Sequence, residues 1–276
     1  MGSPEPEDNS KVKSTVDAVK GLVESVPVYQ DAIQPAAKQV GQSLETIAKT
    51  VNIVLAPIKV AVWGYERIEE FIINTIPQKL KNVPEENITT PPIEVAGPAI
   101  EALRFTGDKK NLRELYANLL ATAMNKDTIH KAHPGYVEII KNITPDEAVV
   151  LNHLAKTGDF PLVDVLGNSK SFELGYRVLF KNYSHLHKKT EIKRPDLIPT
   201  YIDNLSRLGV LDIPAGLSLA ANHTYEPLEN DKDLDEIKNE IENSIHFIGY
   251  SFKRKVGVLT SFGTQFVENV VLDYDV

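Results

Sequence analysis

The chain has no cysteine, two methionines and one tryptophan in 276 residues. Without cysteine there is no disulfide scaffold, no thiolate metal centre and no thiol nucleophile. A cysteine-free chain also suits a reducing compartment, so the expected location is the cytoplasm. The familiar catalytic signatures are missing as well: no GxSxG, P-loop, GxGxxG or EF-hand pattern occurs. Positive charge is scarce. Thirty Lys and Arg face 38 Asp and Glu, for a net charge of −8, which argues against a sequence-independent coat on nucleic acid. A secretory signal is not expected either, because residues 1–10 (MGSPEPEDNS) are polar and acidic and read as a disordered tail.

A membrane span is the next thing lacking. Residues 51–63 (VNIVLAPIKVAVW) are nearly continuous in apolar side chains but hold Asn52, Pro57 and Lys59. A span needs about 20 apolar residues. A buried helix or helix pair is the better reading of residues 43–63. The alternative is a segment that meets a membrane once triggered.

What the sequence does have is helical periodicity. Val12, Val16, Val19, Leu22, Val23 and Val26 recur every three or four residues, and residues 28–40 continue as a second helix with Pro35 at a kink. Residues 64–73 form a charged amphipathic helix, and the proline-punctuated stretch 76–92 reads as a surface loop. A short helix of small residues follows over 95–103. The organising stretch is Asn111–Leu154. Leu112, Leu115, Tyr116, Leu119 and Ala123 line one face of a helix ending near Asn125, and Pro134 starts another. Thr144-Pro145-Asp146-Glu147 has the form of a capping box with proline at the first helical position, and Gly158 stops that third helix.

Beyond it the pattern mixes. Residues 160–165 read as a short strand, 171–186 as a helix on Leu174, Val178, Leu179 and Leu186, and 196–208 as a helix capped by Asp196 and ended by Gly209. Residues 210–213 read as a strand with 217–220 as its hairpin partner, and the acidic stretch 226–242 as a helix with Leu234, Ile237, Ile241 and Ile245 inward. A strand over 247–259 and a last helix capped by Thr260 complete the chain. The expected fold is mainly α. A multi-helix domain over 11–158 precedes a smaller winged-helix-like α+β domain over 159–276.

Two groups of residues are candidate sites. Asp127, His130 and His133 share the turn from Asn125 to Pro134 with Glu138 close by. Two imidazoles and a carboxylate suit zinc in principle, but their spacing across a turn, with no HExxH helix, favours capping over metal ligation. No metal or other cofactor is expected, and no catalytic set emerges. Lys188, Lys189, Lys193 and Arg194 form the one basic segment, with Arg207 on the helix after it. These five are the candidate contacts for nucleic acid or a protein partner. Asp203 on the same helix argues for the protein.

The motifs AGPAIEAL, LRELYANLLATAMNKD and AHPGYVEIIKNITPDEAVVL, with the earlier run VPVYQDAIQPAAKQVGQSLETIAKTVNIVLAPIKVAVWGYERI, resemble the Abi-alpha family. That is a bacterial family of unknown biochemistry linked to abortive infection against phage. The resemblance is dense over residues 12–154 and looser after them, and it brings no catalytic residues with it. It implies a setting, antiphage defence, rather than a mechanism. Together with the lack of a coherent catalytic set, it leads to the expectation of a non-enzymatic sensor or interaction module, with a phage or host protein as partner. Membrane action through residues 43–63 and nucleic-acid binding through the C-terminal domain are the alternatives. Oligomerisation stays open.

Overall fold

The structure is a computed structural model that describes residues 64–171 and 175–272. The expected tail, the helices over 11–40 and the membrane candidate 43–63 lie outside the described residues. Among those described, no helix is long and apolar enough to cross a membrane.

The chain is mainly α with an α+β part. Five helices come first: α1 (Tyr65–Lys79), α2 (Ile93–Thr106), α3 (Lys110–Ala123), α4 (Gly135–Lys141) and α5 (Pro145–Thr157). Every residue from Leu115 to Asn125 is buried, because α3 packs against all four of the others. It also packs against the π-helical turn Val267–Val271 at the far end of the described residues. A π turn leaves carbonyls poorly satisfied, and a buried carbonyl needs a donor. Asn118 Nδ2 donates to the Val270 carbonyl at 2.9 Å and Thr122 Oγ1 to that of Asn269 at 2.8 Å. Two polar residues on an otherwise apolar helix thus anchor the chain's end. The capping box is present: the Glu147 amide donates to Thr144 Oγ1 at 3.2 Å, and the Thr144 amide to Glu147 Oε2 at 2.6 Å.

Four strands form one antiparallel sheet in the order β2-β1-β4-β3: β1 (Phe160–Ser169), β2 (Tyr176–Tyr183), β3 (Leu211–Asp212) and β4 (Phe247–Leu259). Between them lie the single turn α6 (Leu186–Lys189), the helix α7 (Ile198–Arg207), the short α8 (Glu226–Glu229) and α9 (Asp235–Glu242). Then α10 (Ser261–Phe266) follows β4. One core of buried side chains runs from Ile68 through α1–α5 into Leu162, Leu186, Tyr201, Leu205 and Phe266. A smaller one, on Val163, Val165, Tyr225 and Ile241, lies between the sheet and the segment 219–241.

Several expectations are corrected. The helix read over 171–186 is strand β2, paired with β1 at Leu166↔Val178 and Asn168↔Tyr176. Its aromatic and β-branched residues suit a pleat, and β1 offers a ladder that outweighs the three-four spacing of Val178 and Leu179. Residues 217–220 form no strand. β3 pairs instead with the end of β4, at Leu211↔Leu259 and Asp212↔Val258. Asp196 caps nothing, because Arg194 holds its carboxylate through a fork at 2.8 and 2.6 Å; α7 starts two residues later, at Ile198. The helix expected over 226–242 breaks into α8, a 3-10 turn at Lys232–Leu234 and α9, and Ile245 is 78% exposed. At the N-terminal side, α1 runs through Pro77 to Lys79, so the loop begins later than its prolines suggest.

Candidate functional site

β2 ends at Tyr183, and α6 begins three residues later. Leu186 is buried in the main core, which leaves His185, His187 and Lys188 around it facing the segment 231–233. There Asp231 caps the 3-10 turn by accepting from the Asp233 amide. Asp231 is buried and contacts both His185 Nε2 and Lys188 Nζ through Oδ2. Asp233 Oδ2 lies 3.2 Å from His187 Nε2, 3.6 Å from Lys188 Nζ and 3.2 Å from the Tyr183 hydroxyl that donates to it. The two imidazoles are 6.1 Å apart, and each lies against the Tyr183 ring.

The electrostatics follow from this geometry. Burial opposes charge on Asp231, but hydrogen bonds led by Lys188 outweigh it and hold its carboxyl well below the usual range. Burial pushes the His185 imidazole down, and Asp231 offsets this in part. Burial and the two carboxylates push the Tyr183 phenol up. Lys188 thus serves both carboxylates, and the two imidazoles and the Tyr183 hydroxyl complete their contacts. Among the described residues, no group of three or more His, Asp or Glu is placed to hold a metal ion.

Of this cluster, His185 lines a cleft of about 360 Å³. The other walls come from the end of α5 (His153), the start of β1 (Phe160, Pro161), the 3-10 turn Asn222–Thr224 (His223, Thr224) and α8 (Pro227, Leu228). Ser184 and Lys189 also line it. Burial lowers the pKa of His153, and the nearby charge of Lys189 lowers it further. Phe160 is paired with Gly257 on β4, and a Cβ at that glycine would stand 2.5 Å from the ring. The glycine therefore makes room for Phe160.

The residues singled out from sequence fall in three places. Asp127, His130 and His133 are exposed on the turn before α4. Asp127 accepts from Asn87 Nδ2 at 2.8 Å. His133 Nδ1 accepts from the Gly135 amide at 3.0 Å, and its ring meets Phe262 edge-on at 5.5 Å. Lys189 lines the cleft, whereas Lys188 faces Asp231 and Asp233. Arg194 and Arg207 lie elsewhere, beside the start of α5 and on α7, and Lys193 is exposed. The Arg194 amide and the Tyr201 hydroxyl both donate to Asp146 Oδ2, at 2.9 and 3.1 Å, and burial with that carboxylate pushes Tyr201 up to about 12. Arg207 donates to Asn204 Oδ1 at 3.1 and 2.7 Å. His153, Ser184, Asp231 and Asp233 were missed by sequence reasoning. The alternation His185-x-His187 and Asp231-x-Asp233 was the available signal, but nothing in sequence joins stretches 46 residues apart.

Fold and site together define a mainly helical protein with an attached antiparallel sheet and a cleft of its own beside an internal ion network. The family model described as abortive infection alpha matches residues 64–270, and the chain belongs to that family. The match extends through the sheet and the last helix, well past the densest motifs. No curated protein matches the chain. A solved structure, that of an uncharacterized protein from the hydrocarbon-degrading marine bacterium Alcanivorax borkumensis SK2, is 24% identical over 50% of this chain and 93% of that chain, with a TM-score of 0.36.

Proposed function

We propose that this protein acts in abortive infection as a non-enzymatic recognition module whose sheet-bearing half contacts a phage or host protein. Family membership supports the defence setting. The observation that carries the choice of protein over nucleic acid is the state of the basic residues. Lys188 is paired with Asp231 and Asp233 and Arg194 with Asp196, while Arg207 keeps its charge beside the neutral Asn204 amide. Phosphate binding needs cations free to face one surface. Of the five, Lys189, Lys193 and Arg207 have no carboxylate partner among the described residues, and of these only Lys189 lines the cleft.

The arrangement of strands is in keeping with a winged-helix-like module. α7 precedes β3, β3 pairs with β4, and β4 pairs with β1. In such a module α7 takes the place of the recognition helix. Its outward residues include Asp203, which pairs with Lys181 at 2.9 Å, so that lysine too is held by a carboxylate.

Plating efficiency across a phage panel, with cell survival at high phage dose, tests the defence role. The expected result is fewer plaques together with death of infected cells. Unchanged plating with every phage would sink it. Fluorescence anisotropy with labelled duplex DNA tests the choice of partner class: the expected result is weak binding, whereas tight binding with a steep salt slope overturns the protein reading.

A further inference from the structure

We propose that the cleft between the end of α5, the start of β1 and α6 binds a small organic anion, with a phosphate or carboxylate head near His153 and Lys189 and an apolar body against Pro161, Leu186 and Pro227. This goes beyond the defence reading and does not depend on it.

Charge is the first argument. In a chain of net charge −8, no carboxylate is among the described residues that line this cleft. Asp159 and Glu226 adjoin lining residues in sequence but do not line it, and Asp231 stands behind His185. Lys189 is the one Lys or Arg among the described lining residues, and a cation beside low-dielectric surface with no carboxylate near focuses its field on whatever enters. The second argument is the contrast between neighbouring lysines. Lys188 is neutralised by Asp231 and Asp233, while Lys189 makes no ion pair among the described residues and reaches the cleft. Its proximity to His153 disfavours protonation there. An anion between the two groups would reverse that repulsion.

Shape is the third. A volume of about 360 Å³ falls at the small end of ligand cavities, which run from about 300 to 1,000 Å³. It suits one ring system with a charged group. It does not suit a polynucleotide, whose phosphates need cations strung along a groove. The apolar wall is preformed, because Leu186 is locked in the core and Phe160 is seated over Gly257.

Calorimetric titration of the full chain at low salt, with AMP, benzoate and inorganic phosphate as probes, tests the proposal. At least one organic anion is expected to saturate a single site more tightly than inorganic phosphate. AMP ahead of benzoate assigns a phosphate head, and the reverse order a carboxylate head. Lys189→Ala is expected to weaken binding about tenfold or more, the scale of a lost charged hydrogen bond. Lys193→Ala, an exposed lysine outside the cleft, should leave it unchanged. As a readout independent of variants, the His153 imidazole should titrate at higher pH when the site is saturated. The proposal is overturned if neither organic anion saturates below about 1 mM, if inorganic phosphate binds as tightly as both, or if the two lysine variants lose affinity equally.

Discussion

Lys255 on β4 places its ammonium 2.5 Å from Asp164 Oδ1 on β1, although the strand register sets Lys253, not Lys255, opposite Asp164. The pair is diagonal, and both residues are buried. Asn182 closes it. With φ at 58°, Asn182 turns its amide to donate to Asp164 at 2.8 Å, while its own Oδ1 accepts from Lys255 at 2.5 Å. A buried ion pair survives only where such extra bonds complete it.

Removing one partner of this pair should be costly. Asp164→Leu leaves Lys255 buried without its carboxylate partner, and a loss of roughly 3–5 kcal/mol is expected. Asp164→Leu combined with Lys255→Met removes both charges and should recover most of that loss. Urea unfolding of the wild type, both single variants and the double variant checks this. Equal losses for single and double variants would show that packing, not the uncompensated charge, sets the effect.

Asp231 gives a prediction in pH. Its folded pKa is depressed, so the unfolded chain binds the proton more readily. The stability it contributes is full above the unfolded value of about 3.9 and is lost as pH falls through the folded one. Asp231→Asn should therefore be less stable than the wild type at neutral pH, with the gap narrowing below about pH 4. The same substitution removes a group that raises the His185 pKa. NMR titration should find the His185 midpoint lower still in the variant, and a rise would contradict the assigned contact.

How far the sequence carried this structure depends on the range of each cause. The capping box at Thr144 and Glu147, the stop at Gly158 with φ of 74° and the cap at Thr260 are set within a few residues, and all were legible. β2 was not, because Val178 and Leu179 fit a helical spacing, and only pairing with β1, which the sequence does not reveal, makes them a strand. The candidate site was the least legible. Lys188 and Lys189 drew notice as charges, but their different fates depend on Asp231 and Asp233, 43 and more positions away.

The capping box itself shows both ranges. Thr144→Ala removes one cap acceptor and should cost about 1 kcal/mol. Glu147 does more than its sequence position suggests: beyond the Thr144 amide, its Oε1 accepts from Asn204 Nδ2 of α7 at 2.6 Å. Glu147→Ala should therefore cost more than Thr144→Ala, roughly 2–3 kcal/mol, since it strips a buried partner from two donors. Thermal unfolding of both variants and of Asn204→Ala decides this. Additive losses for Glu147→Ala and Asn204→Ala would mean that the two residues do not act through one contact.

Gly263 reverses a general rule. It lies inside α10, where Gly to Ala ordinarily stabilises a helix by about 1 kcal/mol. Here a Cβ would stand 2.0 Å from the Val210 carbonyl oxygen and 2.9 Å from its carbon. Those atoms are backbone, and the same oxygen accepts from the Thr260 amide at 3.0 Å. Nothing flexible can yield, so α10 must move away from the turn that leads into β3. Gly263→Ala should destabilise by roughly 1–3 kcal/mol, the cost of overpacking, and lower the melting temperature. A rise in melting temperature would mean that α10 does not approach Val210 this closely. The π-helical turn that α10 leads into is what Asn118 and Thr122 hold, so the same variant should speed amide exchange around Val270 more than in α1.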